Sequence, residues 1–234
     1  KYEGCTHGGD KLEDLKCAVR DAELFRDTME KCGVKVLAFK VNEECTNATM
    51  ASVLDDVESR FGNDQTLAQF IFYYAGHGIK DKNGRGWLAL HGYIENNAST
   101  RFKMLNLKNR SMDIAATQQM YVLDCCHAGE LLQRQRANVR PFGMHLASQP
   151  CVYGITAVTG DQTSIERGKH GLFTKTLCRA IGQKEVMTGT DIKSFVGERV
   201  FEDSGGHMQP LGANILLDHF QTACNGEFVM FHNK

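Results

Sequence analysis

Three stretches of this chain are continuously apolar: "LAQFIFYYAGHG" (67–78), "MYVLDC" (120–125) and "CVYGITAV" (151–158). A strand with apolar side chains on successive residues buries both faces, so it belongs inside a sheet covered on each side by helices. Stripes at helical spacing supply those helices. Leu12, Leu15, Val19, Ala22, Phe25 and Met29 predict one that stops at Gly33, its start uncertain by a turn. Met50, Val53, Leu54, Val57 and Phe61 predict another, closed by Gly62. Leu172, Phe173, Leu177 and Ile181 mark a third, and Ile192, Phe195, Val196 and Val200 a fourth. "VKVLAFKV" (34–41), "ANILLD" (213–218) and "EFVMF" (227–231) add strands. The stretch from Ile79 to about Thr117 reads as turn-rich, with short strands at Trp87–Leu90 and Phe102–Leu105. The alternation predicts a three-layer α/β/α sandwich around a mostly parallel sheet, as a single domain over 1–234.

Composition narrows the function classes. The formal charge of -1 gives no electrostatic footprint for nucleic acid or an anionic membrane. No run of about 18 apolar residues marks a membrane span. The nine cysteines are odd in number and dispersed, and Cys32, Cys151 and Cys178 sit inside apolar patterns. That reads as reduced thiols in a cytoplasmic protein rather than a disulfide framework. The sequence opens at Lys1, so an upstream segment or targeting signal can precede it.

In sheets of this kind, reactive groups gather at the carboxyl ends of strands. Two predicted strand ends are chemically loaded, "YYAGHG" and "LDCCHAG". A cysteine attacks as its thiolate, so it needs a depressed pKa, which a helix N-terminus or a nearby imidazolium provides. Cys126, at the expected strand-to-helix junction, suits that role, whereas Cys125 belongs to the strand or its turn. His77, between Gly76 and Gly78, is the matching base, and the amides of Gly78 and Cys126 form a candidate oxyanion hole. Competing readings are weaker. Zinc wants four ligands, usually with a Cys-x-x-Cys pair, and redox catalysis wants the same pair, which this chain lacks. The plain alternative is a set of buried thiols with a core histidine. "DKNGRG" (81–86) opens like a calcium loop, but its twelfth position is Gly92, so a turn is expected and no metal site is assigned.

Together "YYAGHG" and "DCCHAG" resemble the histidine and cysteine blocks of the caspase-like peptidases, family C14 of clan CD. They are most similar to metacaspases and their bacterial relatives, whose cysteine block reads Asp-x-Cys-His-Ser/Ala-Gly. "LKCAVRDAELFRDTMEKCGVKV" resembles the group's first helix and following strand, and "ITAVTGDQTSIERGKHGLFTKTL" the start of its small-subunit region. The 49 residues from His77 to Cys126 are close to the roughly fifty that separate the pair in caspases. The resemblance implies a sandwich of the caspase-hemoglobinase type. It divides the chain into a large-subunit-like region (1–133), a linker loop (134–150) and a small-subunit-like region (151–234). It puts the nucleophile on Cys126 and the base on His77, with His127 as a histidine in the first turn of the next helix.

The resemblance further implies cysteine endopeptidase activity on protein or peptide substrates. Asp21 and Asp124 match its acidic specificity pocket, so cleavage after arginine or lysine is expected. The alternatives are a caspase-type peptidase cleaving after aspartate and a catalytically silent caspase-like binding module. Arg134, Arg136 and Arg140 in "RQRANVRPFGMH" are candidate self-processing sites. No cofactor is expected; calcium-dependent relatives carry clustered aspartates between the catalytic blocks, where this chain has only the separated Asp81, Glu95 and Asp113. The family's sheet opens with a strand before the first helix, whereas this chain has "KYEGCTHGGDK" there.

Overall fold

Five helices sandwich a sheet of four strands in the computed structural model, which describes residues 2–63, 69–128, 131–132, 151–158, 164–183, 186–215 and 228–231. In chain order the strands are β1 (Thr6–His7), β2 (Asp10–Lys11), β3 (Gln69–Ala75), β4 (His77–Lys80), β5 (Gly86–Ala89), β6 (Arg101–Lys103) and β7 (Gln118–Asp124). They continue with β8 (Cys151–Thr156), β9 (Glu166–Arg167), β10 (His170–Gly171), β11 (Val186–Thr188), β12 (Leu211–Asn214) and β13 (Val229–Phe231). The helices are α1 (Ala18–Lys31), α2 (Asn47–Asn63), α3 (Met104–Asp113), α4 (Leu172–Ile181) and α5 (Gly189–Asp203).

The central sheet runs β12-β8-β7-β3, with β3, β7 and β8 parallel and β12 antiparallel. Every residue of β7 and β8 is buried, as continuous apolar runs require, while β3 is only partly covered. Two cores flank the sheet. On one face Phe25, Met29, Phe173, Leu177, Ile192 and Val196 bring in α1, α4 and α5. On the other, Leu54, Val57, Phe61, Met104 and Leu107 bring in α2 and α3. The three-layer α/β sandwich with mostly parallel central strands is the architecture that the alternation predicts.

Local details depart from the expectations, each for a physical reason. Helix α1 starts at Ala18, not near Leu12, because its capping group is the Glu166 carboxylate, which accepts from the amides of Lys16 and Cys17 at 3.2 and 2.7 Å. An acid there satisfies orphan amides and meets the positive end of the helix dipole. The stop at Gly33 is as expected: the glycine has φ 81° and Val34 N donates to Met29 O at 2.9 Å. "VKVLAFKV" (34–41) joins no ladder among the described residues; β composition is not enough without a partner strand. The run 67–78 is not one strand, since β3 ends at Ala75 and the chain turns at Gly76 into β4 of a second sheet, β4-β5-β6. "ANILLD" shifts to β12, and "EFVMF" becomes β13, paired antiparallel with the unanticipated β11. Helix α3 lies where turns were expected, its buried side including Lys108 and Ser111 beside Met104 and Leu107.

Among the described residues no α-helix starts at Cys126: Cys126 and His127 form a turn, and Ala128 is 3-10 helical. His127 takes φ 57°, a left-handed conformation that breaks a right-handed helix, and the chain turns instead, with Leu131 N donating to Ala128 O at 3.0 Å.

Candidate active site

Parallel pairing of β3 with β7 sets the geometry. Ala75 and Asp124 are ladder partners, and Gly76 N donates to Asp124 O at 3.2 Å. His77 and Cys126 each follow two residues beyond that pair, so both emerge at the same carboxyl edge. They line one cleft with Asp21, Asp124, Ser164 and Glu166. A wider cleft between α2 and α3 lies elsewhere; its Arg110 is paired with Asp55 and Glu58, and it holds no cysteine or histidine.

The vicinal cysteines are told apart by burial. Cys125 is 1% exposed, and burial pushes its thiol well above the ordinary value. Cys126 is half-buried and opens into the cleft. Its thiol is also raised, by desolvation first and by the nearby Asp124 charge, with partial relief from the Ser164 backbone. Cys126 itself stands in a turn, with His127 between it and the 3-10 turn that starts at Ala128, rather than at the first residue of an α-helix.

His77 donates through a ring nitrogen to the Glu13 carbonyl oxygen at 2.7 Å. A carbonyl only accepts, so Nε2 carries the proton and Nδ1 is left as the nitrogen with a free lone pair. Burial lowers the pKa of this histidine, and the Glu13 carbonyl partly opposes that by favouring the cation. Resting His77 is therefore a neutral imidazole of fixed tautomer that shares its cleft with a neutral thiol. Gly78 closes the arrangement: a β-carbon there would collide with the carbonyl oxygen of Cys126 and come within 3.2 Å of Cys125 Sγ. Only glycine lets these two backbones touch.

The acidic wall has three members. Asp21, in the first turn of α1, is buried; both oxygens lie 3.0 Å from Gly171 N, and Oδ1 is 3.1 Å from His170 Nδ1. Burial first, then the charges of Asp124 and Glu166, push its pKa up from 3.8 to about 7. Asp124 is also buried and raised, chiefly by desolvation, and it accepts from Thr174 Oγ1 at 2.7 Å and Ser164 Oγ at 2.9 Å. Thr174 in turn lies 2.7 Å from the Tyr73 hydroxyl, which fixes its proton towards Asp124. Gly171 lies between the two aspartates, since a β-carbon on it would come within 2.8 Å of Asp21 and 3.4 Å of Asp124.

The cleft thus brings together His77, Cys126, Asp21 and Asp124 from the two strand ends and the first helix, while Gly78 lies buried behind it against the Cys126 carbonyl. Arg134, Arg136 and Arg140 lie outside the described residues. No side-chain pattern encodes the position of the Glu13 carbonyl. Glu166 and His170 stand inside "SIERGKHGLFT", where only their contacts with the amides leading into α1 and with Asp21 mark them.

A family model described as the caspase domain matches residues 4–218. The chain belongs to the caspase domain family. Among solved structures, this caspase domain is similar to a protein from Geobacter sulfurreducens at 17% identity and TM-score 0.60, covering 91% of this chain and 89% of that one. It is similar to Caspase-1 from Spodoptera frugiperda at 14% identity and TM-score 0.56, covering 87% of this chain and 81% of that one. These likenesses establish the fold. No curated protein matches it. No helix among the described residues of the caspase domain is long and apolar enough to cross a membrane.

Proposed function

We propose that this caspase domain is a cysteine endopeptidase that cleaves protein chains after arginine or lysine. The family is one of cysteine peptidases; the dyad and the specificity are our reading. The carrying observation is the acidic wall: Asp21, Asp124 and Glu166 line the same cleft as Cys126 and His77. Carboxylates gathered in a partly dry site raise one another's pKa, and a guanidinium relieves that through bidentate hydrogen bonds. An aspartate side chain in the same place would add a fourth carboxyl group to that wall.

The chemistry then follows from the resting state. Cys126 and His77 begin neutral, so the thiol proton passes to His77 Nδ1 as the sulfur attacks the scissile carbonyl. Imidazolium Nδ1 gives that proton to the leaving amine, and a thioester acyl-enzyme remains. His77 next takes a proton from water, whose oxygen attacks the thioester and releases the acid with Cys126 as leaving group. The Gly78 and Cys126 amides, on backbone segments that pack against each other, are the donors for the oxyanion. The same specificity makes Arg134, Arg136 and Arg140 candidates for self-processing.

A panel of fluorogenic peptides differing only in the residue before the scissile bond tests this, run on wild type and Cys126→Ala. Turnover is expected with arginine and lysine, abolished in the variant. Efficient cleavage after aspartate would overturn the specificity, and turnover surviving in Cys126→Ala would overturn the nucleophile. Intact mass of wild type beside Cys126→Ala decides self-processing, since cuts in both would exclude it.

A further inference from the structure

One aromatic ring outside the cleft touches the base. Tyr2 is buried, and its ring packs edgewise on the His77 imidazole, with centroids 4.5 Å apart and planes at 70°. Its hydroxyl accepts from the His77 amide at 3.2 Å and donates to the Ala89 carbonyl at 2.9 Å. Ala89 is the ladder partner of His77 across β4 and β5, so this hydroxyl bridges the base's own backbone to the strand beside it. The Tyr74 hydroxyl lies 2.6 Å from the same Ala89 carbonyl and 3.2 Å from the carbonyl of His77. Room for both hydroxyls exists because residue 76 is glycine: a β-carbon there would collide with the Tyr74 hydroxyl and lie 2.9 Å from that of Tyr2.

The other side of the imidazole belongs to the same chain segment. Tyr2 N donates to the Asp14 carboxylate, which closes residues 2–14 into a loop. Next to Asp14 stands Glu13, whose carbonyl receives His77 Nε2. The loop is anchored to the body at its tip, where His7 Nε2 lies 2.7 Å from Lys80 O at the end of β4. His77 is therefore held at its amide, its ring surface and its Nε2 by one loop.

We propose that Tyr2 is a positioning residue for His77, fixing the imidazole so that Nε2 meets Glu13 and Nδ1 meets the thiol. The proposal rests on the reading of His77 as the base. Tyr2 does not line the cleft, so it acts on the base and not on the substrate. Losing the clamp lets the imidazole leave the Glu13 carbonyl, the contact that favours its cation. His77 then takes the thiol proton less readily, and Cys126 keeps its proton to higher pH.

The test uses Tyr2→Phe, which keeps the ring, and Tyr2→Leu, which removes it, with Tyr93→Phe as a control. Tyr93 belongs to the same small cluster and its hydroxyl meets His7, not His77. Steady-state kinetics on an arginine peptide are paired with the pH dependence of Cys126 alkylation by iodoacetamide, read on its own peptide by mass. For Tyr2→Leu, kcat is expected to fall about thirty- to a hundredfold with KM within twofold, as misplacement of a catalytic group does. Its alkylation midpoint should rise by about one pH unit. Tyr2→Phe should show a smaller loss in the same direction, and Tyr93→Phe an unmoved midpoint. A folded Tyr2→Leu with kcat within threefold of wild type and an unmoved midpoint overturns the proposal, as does an equal midpoint shift in Tyr93→Phe. If Tyr2→Leu fails to fold, Tyr2→Phe decides by the same criteria, an unmoved midpoint and unchanged kcat counting against. His77→Ala runs alongside: turnover retained there removes the base itself, whereas turnover lost there but kept in the Tyr2 variants removes only the role of Tyr2.

Discussion

The α-carbon of Gly78 packs directly against the carbonyl oxygen of Cys126, with no room for a β-carbon between them. One residue follows the proposed base and the other is the proposed nucleophile, so this contact ties the two strand ends together. Gly78→Ala must push the Cys126 carbonyl away and so disturb the amides proposed to bind the oxyanion. We expect kcat/KM to fall at least a hundredfold, as loss of an oxyanion donor does. Peptide turnover and a thermal melt check this; a folded Gly78→Ala with near wild-type kcat/KM would contradict the contact.

The two vicinal cysteines should respond oppositely to substitution. Cys125 is sealed off behind Gly78, while Cys126 lines the same cleft as His77. Cys126→Ala and His77→Ala are each expected to lower kcat by three orders of magnitude or more, roughly the loss on removing a member of a nucleophile–base unit. Cys125→Ser should keep most of the turnover, and its cost should appear as a lower Tm, because a hydroxyl replaces a buried thiol. An inactive Cys125→Ser beside an active Cys126→Ala would reverse the assignment.

Much of this site was legible because its residues stand at the ends of fully buried strands, and strand runs as apolar as β7 and β8 have few other places to go. What failed depended on partners distant in sequence. The start of α1 is set by Glu166, about 150 residues away, so its own stripe ran on into Leu12 and Leu15. Those two leucines pack instead on the cluster that holds Tyr2 and Tyr93. Helix α3 was missed because half its buried positions are polar; Ser111 hides its hydroxyl by donating to the Lys108 carbonyl at 2.6 Å. The turn after Cys126 hinges on the left-handed conformation of His127, which nothing in a histidine's chemistry announces. Nor does a sequence reveal a backbone carbonyl such as that of Glu13.

Calcium should matter little. The acid that opens the "DKNGRG" turn is already occupied: Asp81 accepts from Asn83 N, Arg85 N, Arg85 Nε and Trp87 Nε1 at 2.8–3.2 Å. A calcium ion wants six to eight oxygens, several of them charged. Adding millimolar calcium to chelator-treated enzyme is expected to change peptide turnover less than twofold. A tenfold rise would show that a site is assembled from other groups.

Asp21 offers the sharpest dependence on pH. Its pKa rises from 3.8 to about 7, with burial the main cause and the charges of Asp124 and Glu166 adding to it. The folded state therefore binds a proton more tightly than the unfolded chain, so stability falls as pH climbs from about 4 to about 7 and is level above. The whole rise corresponds to at most roughly 4 kcal/mol. Asp21→Asn keeps an acceptor for Gly171 N without the charge, so it should melt several degrees higher than wild type at pH 8. The gap should shrink towards pH 4, where the wild-type carboxyl is neutral in the fold and takes up its proton in the unfolded chain as well. The same variant should lose about a hundredfold in kcat/KM on an arginine peptide, because the charge that destabilises the empty cleft is the one a guanidinium pairs with. In wild type, KM for that peptide should rise as pH drops below about 7, by up to tenfold per unit, since protonated Asp21 no longer attracts the cation. Melting curves at pH 4 and 8, with KM profiles for both proteins, test the two halves together. Equal melting at pH 8, or an Asp21→Asn that cleaves arginine peptides as well as wild type, would show that this carboxylate is not held in readiness for a positive charge.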